Sequence, residues 1–368
     1  MPVYETAPVV LEIGTAYTKL GFAADSYPRF IIPTEIYDVN TKTTKKLFDY
    51  KTKTQLYEQM VEFIQKLFFK YALVSPKERK VVIVESVLCP TEIRETLAKV
   101  LFRHFDVLSL LFIPTHLVVL STLAVETALV IDIGFKEATI IPVYCGVQVL
   151  HAWQAQAIAA EAVHDEIKRQ LVEDGIDEKI LSPEIIEDIK VRTCFVTTYE
   201  RAQKYRNEDP PLPCPDVQYS INGKKDIRIS GKLRETAFEV MFPEDNDHLG
   251  LPYIILDTIL QCPLDIRREL AENLFLIGGS TMVMGLMARL KVELLELLKS
   301  NMYQNKLFFD SVKFHTAPAK ANFTAWLGGS IYGGTDVVQT RSLTREAYAK
   351  TERVPDWPSV EESRFIGQ

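Results

Sequence analysis

Two short stretches end an apolar run with an acid, one apolar residue and a glycine: Leu11-Glu12-Ile13-Gly14 and Ile131-Asp132-Ile133-Gly134. An acid at the end of a buried strand can face a cleft. The glycine beyond it lets the turn's backbone approach a phosphate, whose oxygens the turn's N–H groups can then hydrogen-bond. Each stretch leads into a second apolar run, TKLGFA from Thr18 in the first case and ATIIPVY from Ala138 in the second. The acids are about 120 residues apart, so the pattern reads as a duplicated strand-turn-strand unit, one copy per half. Two such hairpins facing each other would clasp a nucleotide's phosphates, with the acids orienting Mg2+ through its waters. A third stretch supports this. Phe275-Leu276-Ile277-Gly278-Gly279-Ser280 is a buried strand feeding a glycine pair at a helix start, where backbone can come close to a ligand.

The elements around these stretches read as an α/β chain. In the first half, Leu56, Met60, Phe63, Ile64, Leu67 and Phe68 fall on one face of a helix, VVIVES is a fully buried strand, and Glu92 to Phe105 is a second helix. Strand, helix and strand again imply crossover connections. Tyr37 to Lys53 is polar, and its basic run from Lys42 to Lys53 reads as a solvated loop. In the second half, GVQVLHAW is read as a third strand after ATIIPVY, and a helix from Ile158 to Asp174 is closed by Gly175. Ser182-Pro183-Glu184 starts a helix expected to run to about Tyr205. Asn207 to Pro215 holds four prolines and is a loop. The methionines of a helix from Met282 to Lys299 are read as core filler, and the tail after Pro355 as frayed.

Composition narrows the function classes. Hydrophobic residues make up 47% and charged residues 25%, an ordinary globular mix that excludes a disordered chain. The net charge of −7 has no basic block of the kind that reads nucleic acid. Five cysteines, none in a Cys-x-x-Cys pair, predict free thiols and neither a disulfide framework nor a zinc site. Val107 to Val125 carries no formal charge, but Pro114, Thr115 and His116 interrupt it, so it reads as a buried strand and a buried helix and not a membrane span. The start lacks a basic segment and an apolar stretch of signal length, and the expected location is cytoplasmic.

The order acid-hairpin, acid-hairpin, strand-Gly-Gly resembles the actin, Hsp70 and sugar-kinase ATPase fold, and within it actin and the actin-related proteins. GFAADSYPRFIIPT, IIPVYCG, IGGSTMVMGLMARL and AWLGGSIYG look like the family's corresponding segments, from Val9 to about Asp336. RKVVIVESVLCP, EDIKVRTCFV, QCPLDIRREL, PAKANFTAWLGG and RVPDW are similar to the divergent branch that sits at the pointed end of dynactin. The resemblance implies two similar α/β halves around a nucleotide cleft with a reduced small subdomain. It divides the chain into subdomain 1 at 1–32, 52–122 and 326–368, a reduced subdomain 2 at 33–51, subdomain 3 at 123–158 and 246–325, and subdomain 4 at 159–245. It implies a nucleotide site of Gly14, Thr15, Ala16, Tyr17, Lys19, Asp132, Gly134, Lys190, Gly278, Gly279, Ser280 and Met282, with Asp132 and Glu12 holding Mg2+ through water.

The same comparison shows losses. Actin's first hairpin reads Asp-Asn-Gly-Ser-Gly where this chain has Glu12-Ile13-Gly14-Thr15-Ala16, and its second reads Asp-Ser-Gly-Asp-Gly where this chain has Asp132-Ile133-Gly134-Phe135-Lys136. The family's water-positioning glutamine has no counterpart in the Ile113–His116 turn, and its histidine aligns with Thr139. In-line attack then loses its positioned water, which is most of what such a site contributes. The ribose-bonding glutamate is Val191 and an adenine-side lysine is Asn322. Two readings of the remainder stay open: ATP or ADP with Mg2+ held and not hydrolysed, or glycines kept only because the turns need them.

The short Pro33–Tyr57 segment replaces the subdomain that carries the loop each actin offers to its pointed-side neighbour. The expectation is therefore a non-enzymatic cap on the pointed end of the actin-related filament of dynactin. Implied partners are that filament's subunits, the pointed-end subunits and, through them, dynein and cargo adaptors in microtubule-based transport, with no nucleic acid and no membrane span. The alternatives are a slow ATPase or small-molecule kinase on the same fold, or a nuclear actin-related protein of a chromatin complex.

Overall fold

In the computed structural model, which describes residues 7–38, 42–207, 209–221, 223, 225–243 and 249–355, the first acid-glycine stretch lies on an antiparallel hairpin, β1 (Val9–Ile13) and β2 (Tyr17–Phe22). β2 pairs next with β3 (Phe30–Pro33). The polar stretch that follows is only partly the expected loop: residues 47–52 are irregular, but strands precede them. β4 (Glu35–Asp38) and β5 (Thr43–Lys46) form a hairpin of their own, because Ile36 and Leu47 are buried and Lys45 and Lys46 pair with Asp38 and Glu35 at 3.2 and 2.6 Å. Lys45 and Lys46 of the basic run thus lie on a charge-paired strand. Thr52 caps α1 (Lys53–Lys66), whose Leu56, Met60, Phe63 and Ile64 are buried, and a π-helical turn, Leu67–Ala72, carries the apolar face on through Leu67 and Phe68. β6 (Lys80–Glu85) runs parallel to β1, followed by α2 (Thr91–Lys99) and a second π-helical turn, Val100–His104. β7 (Ser109–Pro114) passes straight into α3 (Thr115–Ser121) with Pro114 at the helix cap, so the uncharged run is a buried strand and helix. No helix among the described residues is long and apolar enough to cross a membrane.

The second acid-glycine stretch forms the hairpin β8 (Ala128–Ile133) and β9 (Ala138–Tyr144). The predicted third strand is cut to β10 (Val147–Gln148). Its next residue, Val149, donates to Pro142 O, but Pro142 has no N–H to return and the ladder stops there. β9 is paired instead, at its other end, by β11 (Gln154–Gln156). α4 (Ala160–Glu173) precedes Gly175 at φ +85°, and Ser182 caps α5 (Pro183–Thr193). The helix expected to reach Tyr205 is two, α5 and α6 (Tyr199–Arg206). Between them Cys194 is extended, and Phe195 and Val196 donate to Arg234 O and Met284 O in place of helical partners.

β12 (Val217–Ile221) and β13 (Lys225–Ile229) form a hairpin before α7 (Gly231–Thr236), α8 (Leu251–Gln261) and α9 (Leu264–Ala271). β14 (Leu274–Ile277) lies parallel to β8 and leads to α10 (Leu286–Leu298). The methionines are not core filler. α10 starts four residues later than expected, Leu286, Leu290, Leu294 and Leu298 take its inward face, and Met282, Met284 and Met287 are exposed, Met284 by 80%.

The chain then returns to the first sheet with α11 (Thr324–Gly333), α12 (Val337–Thr340), β15 (Leu343–Thr344) against β7, and α13 (Arg345–Thr351). Trp326 on α11 is fully buried and donates from Nε1 to Val10 O at 3.0 Å. Arg94 donates to Pro355 O at 2.6 Å and Val354 N–H to Glu95 Oε1 at 2.9 Å, pinning the last described turn to α2. The expected frayed tail beyond Pro355 lies outside the described residues. Two compact units result, 1–125 with 318–368 and 126–317, each with its own apolar core. Among the described residues the strand order is β15-β7-β6-β1-β2-β3 in one unit and β10-β9-β8-β14 in the other. In both, the acid-bearing strand sits between its antiparallel hairpin partner and a parallel crossover strand. The five cysteines are unbridged.

Candidate functional site

The two acid-glycine stretches make the same turn. Gly14 N–H donates to Tyr17 O at 3.1 Å in one unit and Gly134 N–H to Glu137 O at 3.1 Å in the other. Glu12 stands opposite Lys19, and Asp132 stands opposite Thr139. A Cβ on Gly14 would lie 2.8 Å from Tyr17 O, so this position admits only glycine without a shift of backbone. Thr34, fully buried, takes the turn's carbonyls: its Oγ1 donates to Gly14 O at 2.8 Å and its N–H to Ala16 O at 3.0 Å. Thr15 and Ala16 form the crown of the turn, and Tyr17 is exposed beside them.

Glu12 and Lys19 form an ion pair across the strands, both side chains largely buried. The other carboxylate oxygen, Glu12 Oε2, is buried with no hydrogen-bond partner among the described residues. A hydrated cation fits that orphaned oxygen. Among the described residues, no group of three or more His, Cys, Asp or Glu could hold a metal ion, so an ion here would rely on water and phosphate for the rest of its shell.

In the second unit the glycine pair packs on the end of β8. Gly278 has φ +94° and ψ 159°, and a Cβ there would lie 2.3 Å from Ile133 O and 2.7 Å from Asp132 Oδ1. Gly279 opens the short turn Gly279–Met282 that follows, and Met282 at its end is half exposed. Ser280 Oγ donates to Gly134 O at 2.9 Å. The start of α4 joins the same cluster, with Ala160 N–H donating to Gly134 O and Glu161 N–H to Phe135 O. Strand end, hairpin turn, glycine pair and helix start are therefore one hydrogen-bonded unit.

Lys190 is buried on α5, with Nζ 2.7 Å from Glu187 Oε2 and 3.0 Å from His164 Nε2. His164 Nε2 is itself 2.8 Å from Glu187 Oε2, and the Phe135 ring meets the imidazole edge-on at 5.6 Å. Phe135, next after Gly134, thus leans on the network that holds Lys190. Burial alone would raise the Glu187 carboxyl. The His164 hydrogen bond and the Lys190 ammonium outweigh it and hold it down at about 2. Glu187 and Lys190, three apart on one helix, were readable as a pair; His164, from α4, carried no sequence signal for this role. Thr139 and His116 are buried, Asn322 is half-buried, and Val191 is 69% exposed.

The Glu187 carboxyl is depressed from 4.5 to about 2 on folding, so its contribution is complete above about pH 4.5 and is lost as pH falls toward 2. The expected loss is roughly 2–3 kcal/mol, somewhat below the full conversion of the shift because the side chain is partly exposed. Urea unfolding of the parent and of Glu187→Gln at pH 6 and pH 3 checks this: the variant should lack that part of the parent's acid sensitivity. Equal pH dependence in the two proteins would refute it.

Residues 3–180 and 178–354 match the family model described as actin. The chain is also 30% identical over 430 residues to actin-related protein 10 of Dictyostelium discoideum, a match covering 96% of this chain and 89% of that protein.

Proposed function

Because the chain belongs to the actin family, we propose that it is a non-catalytic subunit that caps the pointed end of the actin-related filament of dynactin. The chain has the α/β fold of actin, Hsp70 and the sugar kinases. The observation that carries the proposal is the β4–β5 hairpin. In the family, this part of the chain holds the subdomain whose loop is offered to the pointed-side neighbour. Here four residues, 39–42, link two four-residue strands. The strands are drawn back onto their own unit by Lys66 Nζ on Glu35 O at 3.2 Å and Leu47 N–H on Thr34 O at 3.1 Å. A heterologous contact propagates only when both complementary faces exist, so a subunit that docks and offers no next face ends the filament. The four-part subdomain division, the cytoplasmic location and the partners named for dynactin belong to the same proposal.

Support for the absence of catalysis comes from the replaced positions. Phe135 brings no carboxylate, Thr139 no imidazole, and Lys190 is neutralised by Glu187 within its own unit. The proposal includes ATP or ADP with Mg2+ held and not turned over. Gly14, Thr15 and Ala16 in one unit, and Gly134, Gly278, Gly279 and Ser280 in the other, would present backbone to its phosphates. Glu12 and Asp132 would orient the ion's waters.

The purified chain should stay monomeric at concentrations where actin polymerises, block pointed-end growth of the dynactin filament at substoichiometric amounts, and release no phosphate from ATP at actin-like rates. Light scattering, end-labelled filament microscopy and a phosphate assay read these outcomes. Filaments of this chain alone, or side binding with no effect at ends, would sink the cap. Phosphate release abolished by Asp132→Ala would sink the non-catalytic reading.

A further inference from the structure

The proline-rich loop between α6 and β12 is a shaped segment. Residues 209–216, Asp-Pro-Pro-Leu-Pro-Cys-Pro-Asp, carry neither helix nor strand. Their burial nevertheless repeats every three residues. Pro211 and Cys214 are turned toward the body, while Pro210, Leu212, Pro213 and Pro215 are exposed, Leu212 by 89%. A period of three with no internal hydrogen bonding is the signature of polyproline II, which four prolines in seven residues favour.

The body holds this segment in place from its inner edge. Cys214 N–H donates to Glu235 Oε1 at 2.8 Å and its Sγ to Gly231 O at 3.3 Å. Cys214 lies so close to α7 that a Cβ on Gly231 would sit 1.6 Å from Cys214 O. Arg201 donates to Leu212 O at 3.0 Å while paired with Glu235, and Arg234 donates to Pro215 O. Glu235, the buried anchor for both Arg201 and Cys214, would be raised by burial. The Arg201 hydrogen bond and the Cys214 N–H reverse that and keep it ionised. The outer edge is left with Asp209-Pro210 and Leu212-Pro213, two X-Pro pairs three residues apart on one side of the helix.

We propose that residues 209–215 are a preformed polyproline II ligand for a small protein domain with an aromatic-lined groove and a basic rim, of the WW kind. Two X-Pro pairs at this spacing fill the paired pockets of such grooves, and a helix already ordered by its own protein spares the partner the entropy of fixing it. Charge selects among groove types. The segment opens on exposed Asp209, preceded in sequence by Glu208, so a basic rim is complementary. An acidic pocket of the kind found beside SH3 grooves would need a free basic flank. The adjacent Arg206 is committed to Glu239 Oε2 at 3.2 Å and Phe242 O at 2.7 Å. The proposal is independent of any place in a filament, because every contact it uses lies within residues 201–242.

The test titrates the full chain with a purified WW domain that has a basic rim, and with a purified SH3 domain as the contrasting probe. The WW domain should bind, and the double variant P210A/P213A should weaken binding at least tenfold with an unchanged melting curve. Leu212→Ala should weaken it to a smaller extent. A free peptide of residues 207–216 should bind several-fold more weakly than the intact chain. No binding by the WW domain, equal binding by P210A/P213A, or preference for the SH3 domain would each overturn the proposal.

Discussion

Gly278→Ala is expected to cost the second unit ~3–5 kcal/mol, enough to unfold it or leave it on the edge of unfolding. Two effects add. Its φ of +94° and ψ of 159° lie in a region open only to glycine, which costs any other residue about 1–3 kcal/mol. The new Cβ would also be driven to 2.3 Å from Ile133 O, a backbone atom on a central strand that cannot step aside. The right control is Gly175, which has a similar φ of +85° but open space where a Cβ would go. Gly175→Ala therefore isolates the backbone conformation and should cost only about 1 kcal/mol. Urea unfolding of both variants decides it. Equal losses would mean that the close approach to β8 is not what the glycine serves. Nucleotide adds a second readout: if Mg-ATP raises the melting temperature of the parent chain, it should raise that of Gly278→Ala far less.

A comparable loss, ~3–5 kcal/mol, is expected for Arg289→Ala. The Arg289 side chain is wholly buried and grips Glu239 with two parallel hydrogen bonds of 3.0 Å, Glu293 at 2.7 Å and Thr197 O at 3.0 Å. Phe242 lies against the guanidinium at 4.7 Å. Burial works against its charge, and the two carboxylates more than restore it. Truncation takes the guanidinium from Glu239 and from Glu293, itself buried, and the loss of that buried charge pairing is the main cost. Arg289→Lys should recover little, because an ammonium cannot reproduce the planar fork. Arg289→Met with Glu293→Gln should recover most of it, by removing the charge together with its partner. Denaturant unfolding of the three variants measures the order. A double variant no better than Arg289→Ala would show that packing, and not charge, dominates.

The hairpins were legible because each carries a glycine at one fixed place and an acid two residues before it, and the structure gives both copies the same turn and register. Crossover strands were legible for a similar reason: VVIVES and LFLIGG are buried on both faces and leave no periodicity to misread. What failed were readings that depend on distant chain. Nothing local to Cys194 ends a helix; the break exists because Arg234 O and Met284 O are at hand to receive the N–H groups. Met282, Met284 and Met287 are apolar, but the first two precede α10 and leucines four apart take that helix's inner face. Lys45 and Lys46 read as loop in the sequence but lie on a strand, where they pair with Asp38 and Glu35 of the neighbouring strand. Within the site, the acids and glycines were read from sequence, whereas the His164–Glu187–Lys190 network was not, since it joins two helices whose spacing no repeat encodes.

The first unit is built from both ends of the chain, with β15 on the edge of its sheet, Trp326 bonded to Val10, and Pro355 bonded to Arg94. The second is one uninterrupted stretch, 126–317. On a ribosome this sets an order of events. Residues 7–125 emerge early but lack α11 and the edge strand, and they must wait while the whole of 126–317 is made, roughly 10–40 s at ordinary elongation rates. During that interval the inserted half can close on itself, and the open sheet of the other half stands with the surface meant for Trp326 uncovered. A nascent chain of this design needs shelter for its N-terminal half longest, although that half was synthesised first.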